Sequence, residues 1–104
     1  MLLTTGPAVE GRPIRTYLDV VSAQAILGLN ISKDITAGIR NIVGGRSKSY
    51  EGEIAKAVGE VMDELTVGAE SLGADAIVSI DIDYESVGSN MLMVAASGTA
   101  VKLG

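Results

Sequence analysis

Three carboxylates in the last third of the chain are spaced so that they could act together. Asp81, Asp83 and Glu85 fall at every second position of the run AIVSIDIDYE. On a β-strand, side chains two apart point to the same side, ~6.6 Å from each other. This acidic ladder predicts either a site for a hard cation such as Ca²⁺ or Mg²⁺, or a solvated, salt-bridged surface. Possible counter-charges, from the same chain or a neighbour, are Arg15, Arg40, Arg46 and Lys102.

Two methionines are the soft ligands nearest to this ladder in the sequence. If the segment SVGSN connects two antiparallel strands, Glu85 lies opposite Met91, Asp83 lies opposite Met93, and Asp81 lies opposite Ala95. Thioethers favour Cu(I), whereas carboxylates favour hard ions, so a mixed site suits neither metal well. Adaptable packing of the methionines at an interface is the interpretation we favour over metal ligation.

A glycine-rich connector is the second place where the sequence could do chemistry. Gly44, Gly45, Arg46 and Ser47 precede a predicted helix that carries Tyr50 and Glu51 in its first turn. Glycine backbone N–H groups and an arginine fork can hold an anion at such a position. A plain helix–helix turn with Arg46 paired to an acidic neighbour is the alternative, and the Gly-Lys-Ser/Thr ending of a P-loop is absent.

The composition removes most catalytic chemistry and several classes of partner. The chain has no cysteine and no histidine, so thiolate nucleophiles, imidazole bases and the strongest metal ligands are all missing. Any metal cofactor would have to do without them. The net charge of -5 argues against nucleic acid and anionic membranes as partners. The start MLLTTGP has no basic and apolar leader, so we expect a cytoplasmic protein.

Hydrophobic periodicity predicts an α+β domain that spans residues 1–104. Alternation indicates strands at residues 2–5 and from Ile14 to about residue 27, followed by a helix carrying Ile35, Ile39 and Ile42. A longer helix, capped by Ser47 or Ser49, and a final antiparallel hairpin complete the order strand-strand-helix-helix-strand-strand. We expect an antiparallel sheet with both helices on one side. The apolar seam of the longer helix is Ile54, Val58, Val61, Leu65, Gly68 and Leu72.

The sheet side away from the helices needs a second cover, which we expect to be another subunit. Only three tyrosines represent the aromatic residues, so one copy can build only a modest core. Small residues on the last strand would let a neighbour approach closely, and the predicted interface residues are Ala95, Ser97, Gly98 and Thr99. A homo-oligomer is therefore expected.

Three long segments resemble the YbjQ-like proteins of bacteria and archaea, also called the DUF74 family. The segments are DITAGIRNIVGGRSKSYEGE, GADAIVSIDIDYE and MLMVAASGTAV, and the resemblance extends over essentially the whole chain. It implies an α+β fold and a ring-shaped homo-oligomer, a pentamer. The family carries a heavy-metal-binding label and has no established function.

The sequence therefore favours a small, ring-forming homo-oligomer that acts as a non-enzymatic binding or structural protein. Its predicted partner is itself. Two alternatives remain open: a metal-binding protein that uses the acidic ladder or the two methionines, and a small-anion binder or enzyme with its site at the glycine-rich connector. No nucleophile–base pair supports the enzyme.

Overall fold

The computed structural model of the protein describes residues 1–28 and 48–104. Within that part the chain forms β1 (Leu2–Leu3), β2 (Ile14–Gly28), α1 (Lys48–Ser71), β3 (Ala76–Val87) and β4 (Met91–Leu103). The α+β class is confirmed. The predicted order is not, because the described residues contain one helix where two were expected, and the first predicted helix lies outside them. No helix in this part is long and apolar enough to cross a membrane.

The four strands form one mixed sheet in the order β1-β3-β4-β2. The hairpin of β3 and β4 is antiparallel, as predicted, and β2 pairs antiparallel with the other side of β4. The expectation of a wholly antiparallel sheet is wrong, because β1 runs parallel to β3, with Leu2 opposite Ala76 and Leu3 opposite Ile77. A two-residue strand has too little periodicity for its partner or direction to be predicted.

A β-bulge in β3 interrupts the pairing next to β1. The register with β4 shifts between Val78 and Asp81, so that Ser79 and Ile80 together face Gly98. Ser79 has a φ of 53°, and its N–H donates to the carbonyl of Gly6 at 2.8 Å. The next N–H, that of Ile80, donates to the carbonyl of Thr4 at 3.1 Å. The N-terminal segment therefore satisfies the donors that the bulge releases from the ladder.

Helix α1 packs mainly on β2 and β4 and least on β3. Its buried residues recur every four positions, at Ala57, Val61, Leu65 and Ala69. The predicted seam is therefore confirmed at its centre, whereas Leu72 is 39% exposed. The two alanines let the helix lie close to the sheet.

The helix ends in a Schellman motif. The N–H of Ala74 donates to the carbonyl of Ala69, and the N–H of Gly73 donates to that of Glu70. Gly73 has a φ of 76°, which glycine adopts without a steric penalty. This confirms Gly73 as the predicted terminator of the helix.

The two faces of the sheet are covered unequally by the described residues. The main core lies between the sheet and α1 and includes Val21, Ala23 and Val94. On the other face, a smaller core around Val78 and Val101 is covered by Val9 and Ile14 near the N-terminus. No described residue outside the sheet covers the rest of that second face, from the bulge to the tip of the hairpin.

Candidate interaction surface

The uncovered part of the sheet, which we call the open face, contains the acidic ladder. Residues paired across antiparallel strands point to the same side, and every second residue shares that side. The open face therefore consists of Asp81, Asp83 and Glu85 from β3, Met91, Met93, Ala95, Ser97 and Thr99 from β4, and Val20, Ser22, Gln24 and Ile26 from β2.

Three rows of side chains cross the open face from one strand to the next. They are Asp81–Ser97–Ser22, Asp83–Ala95–Gln24 and Glu85–Met93–Ile26. The acidic residues thus lie along β3, small residues and methionines lie in the middle, and uncharged residues lie along β2. The open face has no basic side chain among the described residues of these rows.

The predicted pairing of the hairpin is wrong by two residues. β3 continues to Val87 and β4 begins at Met91, so residues 88–90 form the connection. Gly88 in this connection has a φ of 70°. Glu85 consequently lies opposite Met93 instead of Met91, and Asp83 lies opposite Ala95. Because side chains alternate with a period of two, this shift leaves the predicted division into two sides intact beyond the bulge.

Asp83 is the member of the acidic ladder whose ionisation is most affected by its neighbours. The side-chain hydrogen bond with Asp81 and the charge of that residue raise the pKa of Asp83, with smaller contributions from burial and from Glu85. Two carboxyl groups in such contact favour sharing a proton. Within residues 1–28 and 48–104, no three acidic side chains are close enough together to hold a metal ion.

The predicted counter-charges among the described residues, Arg15 and Lys102, act on Asp75 instead of on the acidic ladder. The pKa of Asp75 is lowered chiefly by the hydrogen bond from the backbone N–H of Leu103, 2.9 Å from Asp75 Oδ2, and further by the charges of Lys102 and Arg15. Arg12 contributes to the same effect. The other two candidates, Arg40 and Arg46, lie outside the described residues. The basic groups are thus gathered near the start of β3, whereas the acidic ladder lies beyond the bulge.

The four predicted interface residues divide between the two faces. Ala95, Ser97 and Thr99 lie half-buried on the open face. Gly98 instead points toward α1, where a Cβ would come within 2.7 Å of Ile77 Cγ2. Gly98 therefore makes room for an isoleucine of its own chain.

The residues of the glycine-rich connector fall largely outside the described part of the chain. Gly44, Gly45, Arg46 and Ser47 precede it, and the side chain of Tyr50 is likewise not described. Glu51 lies in the first turn of α1, as predicted. An anion site at this connector stays a prediction.

The sequence pattern did not reveal how exposed β2 is on the open face. In its second half the residues on both sides of the strand are uncharged, and this pattern predicts a strand that is covered on both sides. One side is indeed covered by α1, but on the other Val20 is 69% exposed and Ile26 is 58% exposed. Ser22 and Gln24 between them are also exposed. Single exposed aliphatic residues are ordinary, but two flanking an otherwise uncovered sheet face indicate an interaction surface.

Comparison with known proteins agrees with this fold. The chain is similar over its full length to a solved protein of unknown function in the DUF74 family from Pediococcus pentosaceus ATCC 25745, with a TM-score of 0.69 and 23% identity. The match covers 100% of this chain and 98% of the other. A family model named YbjQ_1, described as "Putative heavy-metal-binding", matches residues 1–104. The chain belongs to this YbjQ family.

Proposed function

We propose that the chain is a non-enzymatic binding or structural protein that works as a homo-oligomer, with its open face turned toward other copies of itself. The observation that carries the proposal is the half of the sheet that residues 1–28 and 48–104 leave uncovered, with Val20 69% exposed and Ile26 58% exposed. The ring of five copies that the resemblance implies and the cytoplasmic location expected from the sequence belong to the same proposal.

The chemistry of the open face supports contact between protein surfaces. The side chains that β4 places on the open face, from Met91 to Thr99, carry no charge, and the cores of protein–protein interfaces are depleted of charged residues. Burying an exposed valine or isoleucine side chain contributes ~1.5–3 kcal/mol. The small side chains of Ala95, Ser97 and Thr99 would allow a second backbone to come close, while Met93 can adapt to an irregular partner.

Placing an arginine in the centre of the open face tests this proposal. In Ala95→Arg, a long charged side chain occupies the middle row, beside Asp83, where the isolated fold can accommodate it. We expect the variant to remain folded and to lose its assembly, because the long side chain would hold the two surfaces apart and its charge would have to be desolvated together with that of Asp83. Ala55→Arg introduces the same side chain at an exposed position of α1 and serves as the matched control.

Light scattering after size exclusion gives the mass of each variant. The proposal predicts a multiple of 10.7 kDa for the natural chain and for Ala55→Arg, and a smaller species for Ala95→Arg. Unchanged assembly in a folded Ala95→Arg variant would show that the open face is not the contact.

Metal binding at the acidic ladder is the second candidate. The contact between the carboxyl groups of Asp81 and Asp83 favours it, since a cation between two like charges relieves their repulsion. The description of the family as heavy-metal-binding points in the same direction. Assembly of several copies would bring more than one ladder into reach of an ion, and Met91 and Met93 would offer the soft alternative.

Calorimetric titration with Ca²⁺, Mg²⁺ and Cu(I) separates these ligand sets. A carboxylate site predicts a Ca²⁺ or Mg²⁺ affinity that is lost in Asp81→Asn, whereas a thioether site predicts Cu(I) binding that is lost in Met93→Leu. If none of the three ions binds more tightly than the millimolar range, the metal function is eliminated.

A further inference from the structure

Residues 1–6 lie along the edge of β3, and we call this segment the N-terminal strap. Its paired part, β1, is only two residues long. None of its side chains is buried: Met1 is 46% exposed, Leu2 is 41% exposed and Leu3 is 37% exposed. Because hydrophobic stabilisation scales with the apolar area removed from water, these side chains contribute little to holding the strap. Backbone hydrogen bonds are its main attachment.

The hydrogen bonds between the strap and β3 run in both directions. The N–H of Thr4 donates to the carbonyl of Ile77 at 3.0 Å, and the carbonyl of Thr4 accepts the N–H of Ile80 at 3.1 Å. The carbonyl of Gly6 accepts the N–H of Ser79 at 2.8 Å. The net contribution of such bonds to stability is modest, because water replaces them when they open.

At Ser79 the strap supports a backbone conformation that serine rarely adopts. Its φ of 53° lies in the left-handed region, which disfavours residues that carry a Cβ. Strain of this kind persists where the surrounding structure holds it. The strap therefore supplies acceptors to a strained bulge while burying almost nothing itself.

The strap lies far from the points where residues 29–47 join the described chain. Gly28 pairs with Met91, next to the tip of the hairpin. The strap pairs with Ala76, which lies opposite Val101, ten residues further along β4. At ~3.3 Å per residue, the two places are ~33 Å apart along the sheet. The contacts that hold the strap thus come from the opposite end of the sheet.

We propose that the N-terminal strap opens and closes on β3 as a unit while the rest of the described fold stays intact. Segments with few buried contacts open at a lower free energy than the core. The sheet keeps its order without the strap, because β3 stays paired with β4 and the main core lies between the sheet and α1. This device does not depend on the proposed self-assembly.

The closed strap keeps other extended polypeptides away from the start of β3. An uncovered strand edge pairs readily with foreign segments, and covering it is one way in which proteins prevent this. Opening exposes the edge from Ala76 to Ile80, including the N–H groups of Ser79 and Ile80 that the strap had satisfied. Access to this edge is thus controlled by residues of the same chain.

Amide hydrogen exchange of the full chain at residue resolution tests the proposal. In the natural chain, we expect the Ser79 and Ile80 amides to exchange about tenfold or more faster than that of Val94, because Val94 lies in the central strand. Thr4→Ala removes the hydroxyl that accepts the N–H of Gly6 at 3.0 Å within the strap. We expect it to accelerate exchange at Ser79 and Ile80 about fivefold, the effect of ~1 kcal/mol, without changing Val94.

Thr5→Ala makes the same chemical change at the next, exposed position and is the matched control. It should leave all three exchange rates as they are in the natural chain. Exchange at Ser79 and Ile80 as slow as at Val94 would overturn the proposal, because the strap would then open only with the sheet. Equal acceleration of all three amides by Thr4→Ala, or no acceleration at all, would overturn it as well.

The control also has one outcome that contradicts the proposal. If Thr5→Ala accelerated Ser79 and Ile80 as much as Thr4→Ala does, the hydrogen bonds described above would not be what holds the strap.

Discussion

At the scale of single residues, the ionisation of Asp83 on the open face affects the stability of the folded chain. Its pKa is raised, chiefly by the hydrogen bond with Asp81 and by the charge of that residue. Between the ordinary value of 3.8 and the raised value, the folded chain therefore holds more protons than the unfolded chain. The free energy of unfolding must then fall as the pH rises through this window. At neutral pH the ladder is a small destabilising element.

Asp83→Asn should consequently raise the melting temperature at pH 7, because it removes one of the repelling charges. At a pH well below 3.8 the gain should disappear, since the natural carboxyl is then protonated. Thermal unfolding followed by circular dichroism measures this, with Asp63→Asn on the exposed side of α1 as a control that makes the same change in net charge. A lower melting temperature for Asp83→Asn at pH 7 would contradict a net repulsion between the carboxylates of the ladder.

The pKa of Asp75 is shifted in the opposite direction from that of Asp83. The N–H of Leu103 and the charge of Lys102 lower its pKa. Its stabilising contribution is therefore present above the ordinary value of 3.8 and is lost as the pH falls through the lowered value. The two aspartates differ because Asp75 lies near a backbone donor and basic groups, whereas the described groups that shift the pKa of Asp83 are carboxylates.

At the scale of elements, the contact between α1 and the sheet determines the stability of the fold. Leu65 has no exposed surface and lies at the centre of the buried stripe, whereas Leu72 lies beyond the last turn and is 39% exposed. We expect Leu65→Ala to lower the free energy of unfolding by ~2–5 kcal/mol. Leu72→Ala should cost less than about 1 kcal/mol, because it removes few buried contacts. Urea denaturation of both variants measures the difference, and similar values for the two would contradict this packing.

The elements that the sequence predicted well are those with a strong period. The strand β2, the long helix with its terminal Gly73 and the antiparallel hairpin follow from alternation, from the heptad-like spacing and from glycine. The division of the hairpin into two sides was also predictable, and with it the common face of Asp83 and Ala95.

The features that escaped prediction depend on contacts distant in sequence. The parallel pairing of β1 and the bulge at Ser79 both depend on the N-terminal segment lying along β3. The predicted register of the hairpin is wrong because Ser86 and Val87 were assigned to the connection with Gly88, whereas both extend the strand. The inward direction of Gly98 does follow from the alternation of β4, which puts it on the side opposite Ser97 and Thr99, but the sequence did not show that Ile77 fills the space beside it.

At the scale of the whole molecule, the chain is long and thin, with extents of 51 × 24 × 17 Å. Among residues 1–28 and 48–104, a helix covers one face of the sheet and little beyond Val9 and Ile14 covers the other, so this part of the chain presents a large surface for its mass. Assembly of several copies would cover this exposed surface.

The most direct test of this account is the mass of the natural chain in solution across a dilution series in the micromolar range. We predict a single species of several times 10.7 kDa that resists dilution, as measured by light scattering after size exclusion. A stable species of 10.7 kDa throughout the series would contradict the account, because the open face would then have no second copy to cover it.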